Sequence, residues 1–285
     1  VVGIALALAT GAIIFGGAKR VADITSAIVP IMALMYLGVA IFVVVTNLNF
    51  VPEMFKLIFL NAFGIQEIAS AGIGITILQG VKRGLFSNEA GMGSVPNAAA
   101  AADTSHPAKQ GFVQALGVYV DTWLVCTATA FIILLGGEDF YGEAGGKGLE
   151  ITQQALVHEV GNWGVPFLSL CVFFFAFSSI IGNYFYGESN IGFLGGNKTV
   201  LNIFRALVCF VVFLGCVGDF SVVWDTGDIF MGIMAIVNLV VLLLIGNIAV
   251  EIYNDYRCQV KAGVEPVFNP QAIPAIKKQP KFWQD

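Results

Sequence analysis

A cluster of polar and small residues interrupts a hydrophobic part of the sequence between positions 84 and 96. Ser87, Asn88, Glu89 and Ser94 lie there among several glycines, with an apolar run before them (68–81) and an alanine-rich run after them (98–102). Lipid offers no hydrogen-bond partner to freed backbone groups, so such a break persists in a membrane only where it faces protein or a water-filled cavity. Broken helices of this kind form ligand sites near the middle of the bilayer.

The chemistry available at this break suits a zwitterionic ligand such as an amino acid. The N-terminal end of a half-helix attracts a carboxylate, and the carbonyl end attracts an ammonium group. The glycines allow the backbone to approach a ligand closely. The alternative is an ordinary loop in which Ser87 caps a helix and Glu89 lies in its first turn. In either case, Glu89 is a functional carboxylate or the ion-pair partner of Arg83.

A second polar group occurs in the apolar, aromatic-rich run at 165–186. The adjacent hydroxyls of Ser178 and Ser179 suit a small hard cation, which prefers oxygen ligands. The alternative is that both hydroxyls bond back to the preceding turn of their own helix. Asn183 follows Ser179 at the i+4 spacing of one helical face, where its amide serves either a ligand or a neighbouring helix.

The composition is that of a membrane protein. Hydrophobic residues make up 57 % of the chain and charged residues only 12 %, against about 25 % charged in ordinary soluble domains. The basic residues form no stripe, so nucleic-acid binding is not expected. Both histidines, His106 and His158, lie in polar segments and are interpreted as plain loop residues. An intramembrane protease would need a base within a span, so we expect no enzyme.

The hydropathy pattern predicts seven membrane elements and a short connecting helix at 52–63. The elements are 1–15, 24–45, the broken element 65–102, 111–135, 165–186, 200–217 and 225–250. Each continuous stretch of about 20 apolar residues is long enough to cross the hydrocarbon core. The chain is therefore divided into a transmembrane domain, residues 1–250, and a polar, mostly irregular tail, residues 251–285.

The basic residues predict the orientation, because they concentrate in cytoplasmic loops. One side receives Lys19, Arg20, Lys109, Lys198, Arg205, Arg257, Lys261, Lys277, Lys278 and Lys281. The other receives Lys56 and Lys147 with Glu138, Asp139, Glu143, Glu150, Glu159 and Asp219. The tail is thus expected in the cytoplasm and residue 1 outside, which fits a chain preceded by further spans. Lys82 and Arg83, just before the break, are left unassigned.

Several motifs together resemble the alanine or glycine:cation symporter family. The segment RGLFSNEAGMGS at 83–94 resembles its signature region. IFGGAKR (14–20), QGF (110–112), VDT (120–122), CTATA (126–130) and GNYFYGE (182–188) follow the same family order. The resemblance extends to about Tyr256.

The resemblance implies a leucine-transporter fold of two inverted five-helix repeats, of which this chain holds core helices four to ten. The break becomes the sixth core helix. Ser178 and Ser179 fall on the eighth, where that fold has hydroxyl ligands of sodium. Family members often carry Trp at the position of Asn183. The missing N-terminal helices of the same protein are expected to complete both sites.

The implied function is import of alanine or glycine, coupled to sodium, across a bacterial plasma membrane. Proton coupling is the alternative, and a channel, with its selectivity groups spread along a pore, is a weaker one. Sodium is expected as the co-transported ion, with no cofactor. The predicted substrate-binding residues are Phe86, Ser87, Asn88, Glu89, Gly91 and Asn183, and the predicted sodium ligands are Ser178 and Ser179.

Overall fold

The computed structural model describes residues 2–62, 71–137 and 148–276, and these residues contain helices but no strand. The first helices are α1 (Val2–Ile14), α2 (Gly17–Thr46), α3 (Val51–Ala62), α4 (Ala71–Asn88) and α5 (Val95–Ala100). α6 (Pro107–Val120), a π-helix (Asp121–Cys126) and α7 (Thr127–Gly136) follow without a break. α8 (Leu149–Val160), α9 (Gly164–Phe193), α10 (Lys198–Val217), α11 (Phe220–Lys261) and a short 3₁₀-helix (Pro270–Ala272) complete the described chain.

Five described segments are long and apolar enough to cross a membrane: Asp23–Thr46, Pro107–Gly136, Gly164–Phe193, Lys198–Val217 and Phe220–Lys261. They coincide with five of the seven predicted elements. The first predicted element is the short apolar helix α1, and the broken element is the pair α4 and α5. Residues 1 and 65–70 of the predicted elements lie outside the described chain. The expected all-α polytopic membrane fold is therefore confirmed.

Helix α8 lies in a segment that the hydropathy pattern assigned to a loop. It buries Thr152, Ala155 and Leu156, whose spacing defines one face of a helix. That face packs into the core formed by α2, α7 and α9. The segment carries too many polar residues to register as a span, but its helical period is present in the sequence.

Helix α11 extends further than predicted. Its 42 residues correspond to about 63 Å at 1.5 Å per residue, roughly twice the hydrocarbon thickness. The helix therefore continues well outside the bilayer, and its last turns carry Glu251, Asp255, Arg257 and Lys261. The tail was predicted to be mostly irregular, and its first eleven residues, 251–261, are helical.

Two buried clusters hold the bundle together. The larger joins α2, α3, α7, α8 and α9, and Val43, Ile132, Leu156 and Cys171 are fully buried there. Its polar tie is a 2.6 Å hydrogen bond between the hydroxyls of Tyr36 and Thr129. Lipid is as apolar as the core, so packing and such ties, rather than hydrophobic transfer, hold membrane helices together.

The smaller cluster joins α1, α2, α9 and α10 around Tyr184. The Arg205 guanidinium donates to the Tyr184 hydroxyl (2.8 Å) and to Glu188 (3.0 Å). Tyr184 in turn donates to the Ile14 carbonyl at 3.4 Å. The polar network therefore fixes three helices at one end of the bundle.

The chain after α11 folds back over the start of α6. The Ser105 carbonyl accepts from the Phe268 amide (2.9 Å), and the Ser105 hydroxyl donates to the Pro266 carbonyl (3.0 Å). Lys109 pairs with Glu265. Lys109 and the tail thus lie at the same end of the bundle, as the loop alternation predicted.

His106 lies beneath this returning segment and is fully buried. Its Nδ1 accepts from the Ala108 amide as the N-cap of α6, and its Nε2 lies 3.2 Å from the Asp255 carboxylate. The ring contacts Tyr256 and Phe268 edge-on. The interpretation of His106 as a plain loop residue is therefore wrong: it joins α6, α11 and the tail.

We predict that His106→Ala lowers the free energy of unfolding by about 1–3 kcal/mol, because Asp255 and the first turn of α6 lose their partner. His106→Asn keeps an N-cap acceptor and should lose less. Thermal unfolding of the detergent-purified protein measures both changes.

The control is His158→Ala, which removes the exposed histidine of α8. Equal melting temperatures for His106→Ala and His158→Ala would contradict the structural role of His106.

Candidate functional site

The predicted break is present in the structure. Helix α4 ends at Asn88 and α5 begins at Val95, with a turn between them. Gly91 and Gly93 have φ values of +73° and +90°, which glycine adopts without steric cost. Glu89, at φ +50°, is a non-glycine residue in the left-handed region, where side chains are disfavoured. The turn is therefore a specific backbone conformation, held by its surroundings.

Helix α11 supports the turn. The Asn238 amide donates to the Gly91 carbonyl at 2.9 Å, so it satisfies one of the backbone groups that the break frees. A Cβ at Gly93 would lie 3.0 Å from the Asn238 side chain. The close approach of α11 and the positive φ together favour glycine at position 93.

The charged residues around the break do not form the Glu89–Arg83 ion pair that the sequence analysis considered. Glu89 accepts a hydrogen bond from Ser94, whereas Arg83 lies 3.5 Å from Asp228 and Lys82 lies 2.7 Å from it. The Glu89–Arg83 pair is therefore wrong. Ser87 as an N-cap is also wrong, because Ser87 lies near the end of α4 and Ser94 occupies the N-cap position of α5.

Phe86 faces α11. Its ring stacks on Trp224 at a centroid distance of 5.6 Å. The Arg83 guanidinium lies 5.2 Å from the Trp224 ring centroid and 5.9 Å from that of Phe86. Together with Asp228, these residues form a seam between α4 and α11. The substrate-binding role of Phe86 stays a prediction.

Ser87 and Asn88 face the π-helix. The Ser87 hydroxyl donates to the Asp121 carboxylate at 2.6 Å, and the Asn88 amide donates to the Thr122 hydroxyl at 2.8 Å. π-Helical turns inside α-helices are rare and often occur at functional sites. Sequence reasoning did not select Asp121 as a site residue. A carboxylate within an otherwise apolar span was the available signal.

The predicted sodium ligands lie on α9, which packs against α5. The Ser178 and Ser179 hydroxyls both donate to the Phe175 carbonyl at 3.0 Å, as the intrahelical alternative proposed. Asn183 is exposed on the same helix, and none of the contacts among the described residues joins it to the break. Helix α9 thus packs beside the second half of the broken element, but the roles of the two serines and Asn183 stay predictions.

A cavity of about 520 Å³ lies beside the second half of the broken element. Its walls are small residues of α5, such as Ala99 and Ala100, and polar residues of α6, Gln110 and Gln114. Ligand pockets for small molecules span roughly 300–1,000 Å³. The predicted substrate-binding residues do not line this cavity, which lies toward the start of α6.

The chain is similar to known membrane carriers. It is 50 % identical over its whole length to "Amino-acid carrier protein AlsT" of Bacillus subtilis (strain 168), of which it covers 60 %. It is 47 % identical over 93 % of its length to "Probable sodium/glutamine symporter GlnT" of the same organism, covering 55 % of that protein. It is 38 % identical over its whole length to "Sodium/proton-dependent alanine carrier protein" of Bacillus sp. (strain PS3), covering 67 % of it. The chain thus spans about 60 % of the length of the relatives it matches.

The model that describes the sodium:alanine symporter family matches residues 1–270. This match and the relatives cover nearly the whole chain, including the break, the π-helix and α9. The chain therefore belongs to the sodium:alanine symporter family, a family of transporters rather than enzymes.

Proposed function

We propose that the protein imports a small neutral amino acid, alanine or glycine, together with sodium by alternating access. The observation that carries the proposal is the turn between α4 and α5, which interrupts the helical hydrogen bonding inside a membrane bundle of this family. A relative named as a sodium/proton-dependent alanine carrier supports both the substrate and the ion.

The turn supplies what an amino acid needs at close range. The last carbonyls of α4 lie at the negative end of a helix dipole and favour an ammonium group. Gly91 and Gly93 carry no side chains of their own, so a ligand can approach the backbone there on the side that α11 does not cover. Phe86, Ser87, Asn88 and Glu89 surround it, and Asn183 is proposed to approach from α9. Hydrogen bonds already join the turn to α11 and the π-helix, so these elements would move together against the rest of the bundle.

We assign the cation to Ser178 and Ser179 because sodium prefers oxygen ligands, and these two adjacent hydroxyls lie in an otherwise apolar helix. Each hydroxyl oxygen keeps lone pairs free while its proton is donated to the Phe175 carbonyl, so it can ligate the ion without losing that hydrogen bond. Proton coupling is the competing proposal, because the names of two relatives give both ions. Glutamine is a competing substrate, because it appears in the name of a relative 47 % identical to this chain.

The proposed membrane arrangement has residues 1–250 in the transporter domain and the tail, 251–285, in the cytoplasm. The protein would lie in a bacterial plasma membrane, with N-terminal helices of the same protein completing the substrate and sodium sites. The tail contacts the start of α6, which supports placing both on the same side of the membrane.

We predict that the full-length protein, reconstituted in vesicles, accumulates labelled alanine or glycine when sodium is higher outside. Replacing sodium by choline at fixed pH should abolish accumulation, because no ion gradient then drives it. Competition by unlabelled alanine, glycine and glutamine ranks the substrates.

Accumulation that follows an imposed pH gradient and ignores sodium would establish proton coupling instead. Passive equilibration without accumulation would favour a channel.

We predict that Ser178→Ala combined with Ser179→Ala raises the sodium concentration for half-maximal uptake roughly tenfold, which corresponds to about 1.4 kcal/mol. The reason is the loss of two oxygen ligands from an apolar helix. The sodium dependence of initial uptake rates measures the change.

Ser169→Ala is the matched control, because Ser169 lies on the same helix and makes the same type of intrahelical bond, to the Val165 carbonyl. If the double variant and the control share one sodium dependence, the serine pair is not the sodium site.

We predict that a cysteine at position 87, in a full-length protein freed of its other cysteines, reacts with a small charged thiol reagent and is protected by substrate. Ser87 lies at the end of α4 beside the proposed ligand, and its side chain is exposed. Labelling with and without alanine, glycine or glutamine is the measurement.

Leu243→Cys is the control, since Leu243 lies on the strongly exposed apolar face of α11 and should resist a charged reagent in lipid. Labelling at position 87 that is indifferent to all three amino acids would remove Ser87 from the substrate site.

A further inference from the structure

The chain after α11 forms a strap, residues 262–276, that runs back along the end of that helix. The Val267 amide donates to the side-chain oxygen of Gln259 at 2.9 Å, and the Gln259 side-chain amide donates to the Val267 carbonyl at 3.0 Å. Further along the strap, the Ala275 amide donates to the Glu251 carboxylate at 3.0 Å. The strap is therefore fixed to α11 at two points.

The opposite edge of the strap contacts the link between α5 and α6, residues 101–106. The Phe268 amide donates to the Ser105 carbonyl at 2.9 Å, and the Ser105 hydroxyl donates to the Pro266 carbonyl at 3.0 Å. Both Pro266 and Phe268 are buried. The strap thus forms a bridge from α11 to the link.

This bridge combines a buried contact with an exposed one. Beneath the strap, the His106 ring is fully buried against Phe268, and its Nε2 lies 3.2 Å from the Asp255 carboxylate of α11. At the surface, Lys109 in the first turn of α6 pairs with Glu265. Polar contacts that are shielded from water are stronger than exposed ones. The inner contact therefore favours a bridge that stays closed.

The bridge gives α11 a second hold on the broken element. The first hold is at the turn, where the Asn238 amide donates to the Gly91 carbonyl at 2.9 Å. Asp255, which pairs with His106, lies about 26 Å further along α11 at 1.5 Å per residue. Because α5 lies in the chain between Gly91 and His106, α11 holds the broken element on both sides of α5.

Helix α5 also has a competing neighbour and borders the cavity. It packs against α9, so a relative movement of α9 and α11 would act on it from two directions. Thr104 of the link and Pro107 at the start of α6 line the cavity beside α5. The body that carries the link therefore also determines the shape of this cavity.

We propose that the strap is a clamp that keeps the link and α11 together, so that α5 moves with α11 rather than with α9 during transport. The inference rests on the proposed symport function, because it concerns the movement that exposes the site to one side of the membrane and then the other. The clamp contacts neither the predicted substrate residues nor the predicted sodium ligands, so it controls movement and not binding.

The test makes the clamp reversible within one protein. The full-length protein, freed of its other cysteines, carries Ser105→Ala, Lys109→Cys and Glu265→Cys, which remove a hydrogen bond and an ion pair from the bridge. In the reduced form we expect the maximal uptake rate in vesicles to fall about fivefold, the range for one hydrogen bond and one exposed ion pair. A cleavable bifunctional thiol reagent then joins the two cysteines, and the rate should return to that of the cysteine-free parent. The half-saturating concentrations of sodium and amino acid should stay those of the parent in both forms.

Glu251→Cys combined with Ala275→Cys, in the Ser105→Ala background, is the matched control. There the same reagent ties the strap to α11 alone, so cross-linking should leave the uptake rate unchanged. Three results would overturn the clamp. One is recovery of the rate in this control, and another is equal rates in the parent, the reduced form and the cross-linked form. The third is a cross-link between positions 109 and 265 that blocks uptake until it is cleaved, because the strap would then have to open.

Amide hydrogen exchange decides the case in which no form of the variant transports, since it reports local opening directly. Slower exchange at residues 95–106 after the cross-link between positions 109 and 265 supports the clamp, and equal exchange overturns it. If the parent protein itself shows no amino-acid uptake, the proposed function fails. The same exchange measurement then still decides whether the strap holds the link to α11.

Discussion

The need to satisfy backbone groups inside the membrane governs this structure. Helices satisfy these groups within each segment, and the interruption between α4 and α5 needs hydrogen bonds from neighbouring residues. Asn238 of α11 binds the Gly91 carbonyl, and Ser94 binds the Glu89 side chain. Gly91 and Gly93 adopt the positive φ values that the turn requires. The turn between α4 and α5 is thus both the part of the fold that is hardest to stabilise in a membrane and the part proposed to bind a ligand.

The charges inside the bundle follow a similar rule. Lys82 and Arg83 of α4 both pair with Asp228 of α11. Arg205 of α10 binds Glu188 and the Tyr184 hydroxyl, both on α9. Charges that support structure are therefore paired with opposite charges. Asp121 and Glu89 differ, because their described partners, Ser87 and Cys126 for Asp121 and Ser94 for Glu89, are neutral.

Several parts of the fold were predictable because they depend on local composition. Long apolar runs gave five spans, and the cluster of glycines and polar residues gave the break. Helix α8 and the extension of α11 were missed, since their sequences are too polar for a hydropathy argument. The site was only partly predictable. Ser87 and Asn88 could be chosen from their position at the break, whereas the partners that they contact lie 34 residues further along the chain.

The sequence by itself determined the membrane class, the family and the position of the helix break, because each follows from residue types along a short stretch of chain. The tertiary structure decided the pairing. Arg83 pairs with Asp228 rather than with Glu89. His106 is buried beneath the tail, and Asp121 accepts a hydrogen bond from Ser87. Such choices depend on which side chains the packed helices bring within hydrogen-bonding distance, and a pattern along one segment carries no information about its neighbour in space.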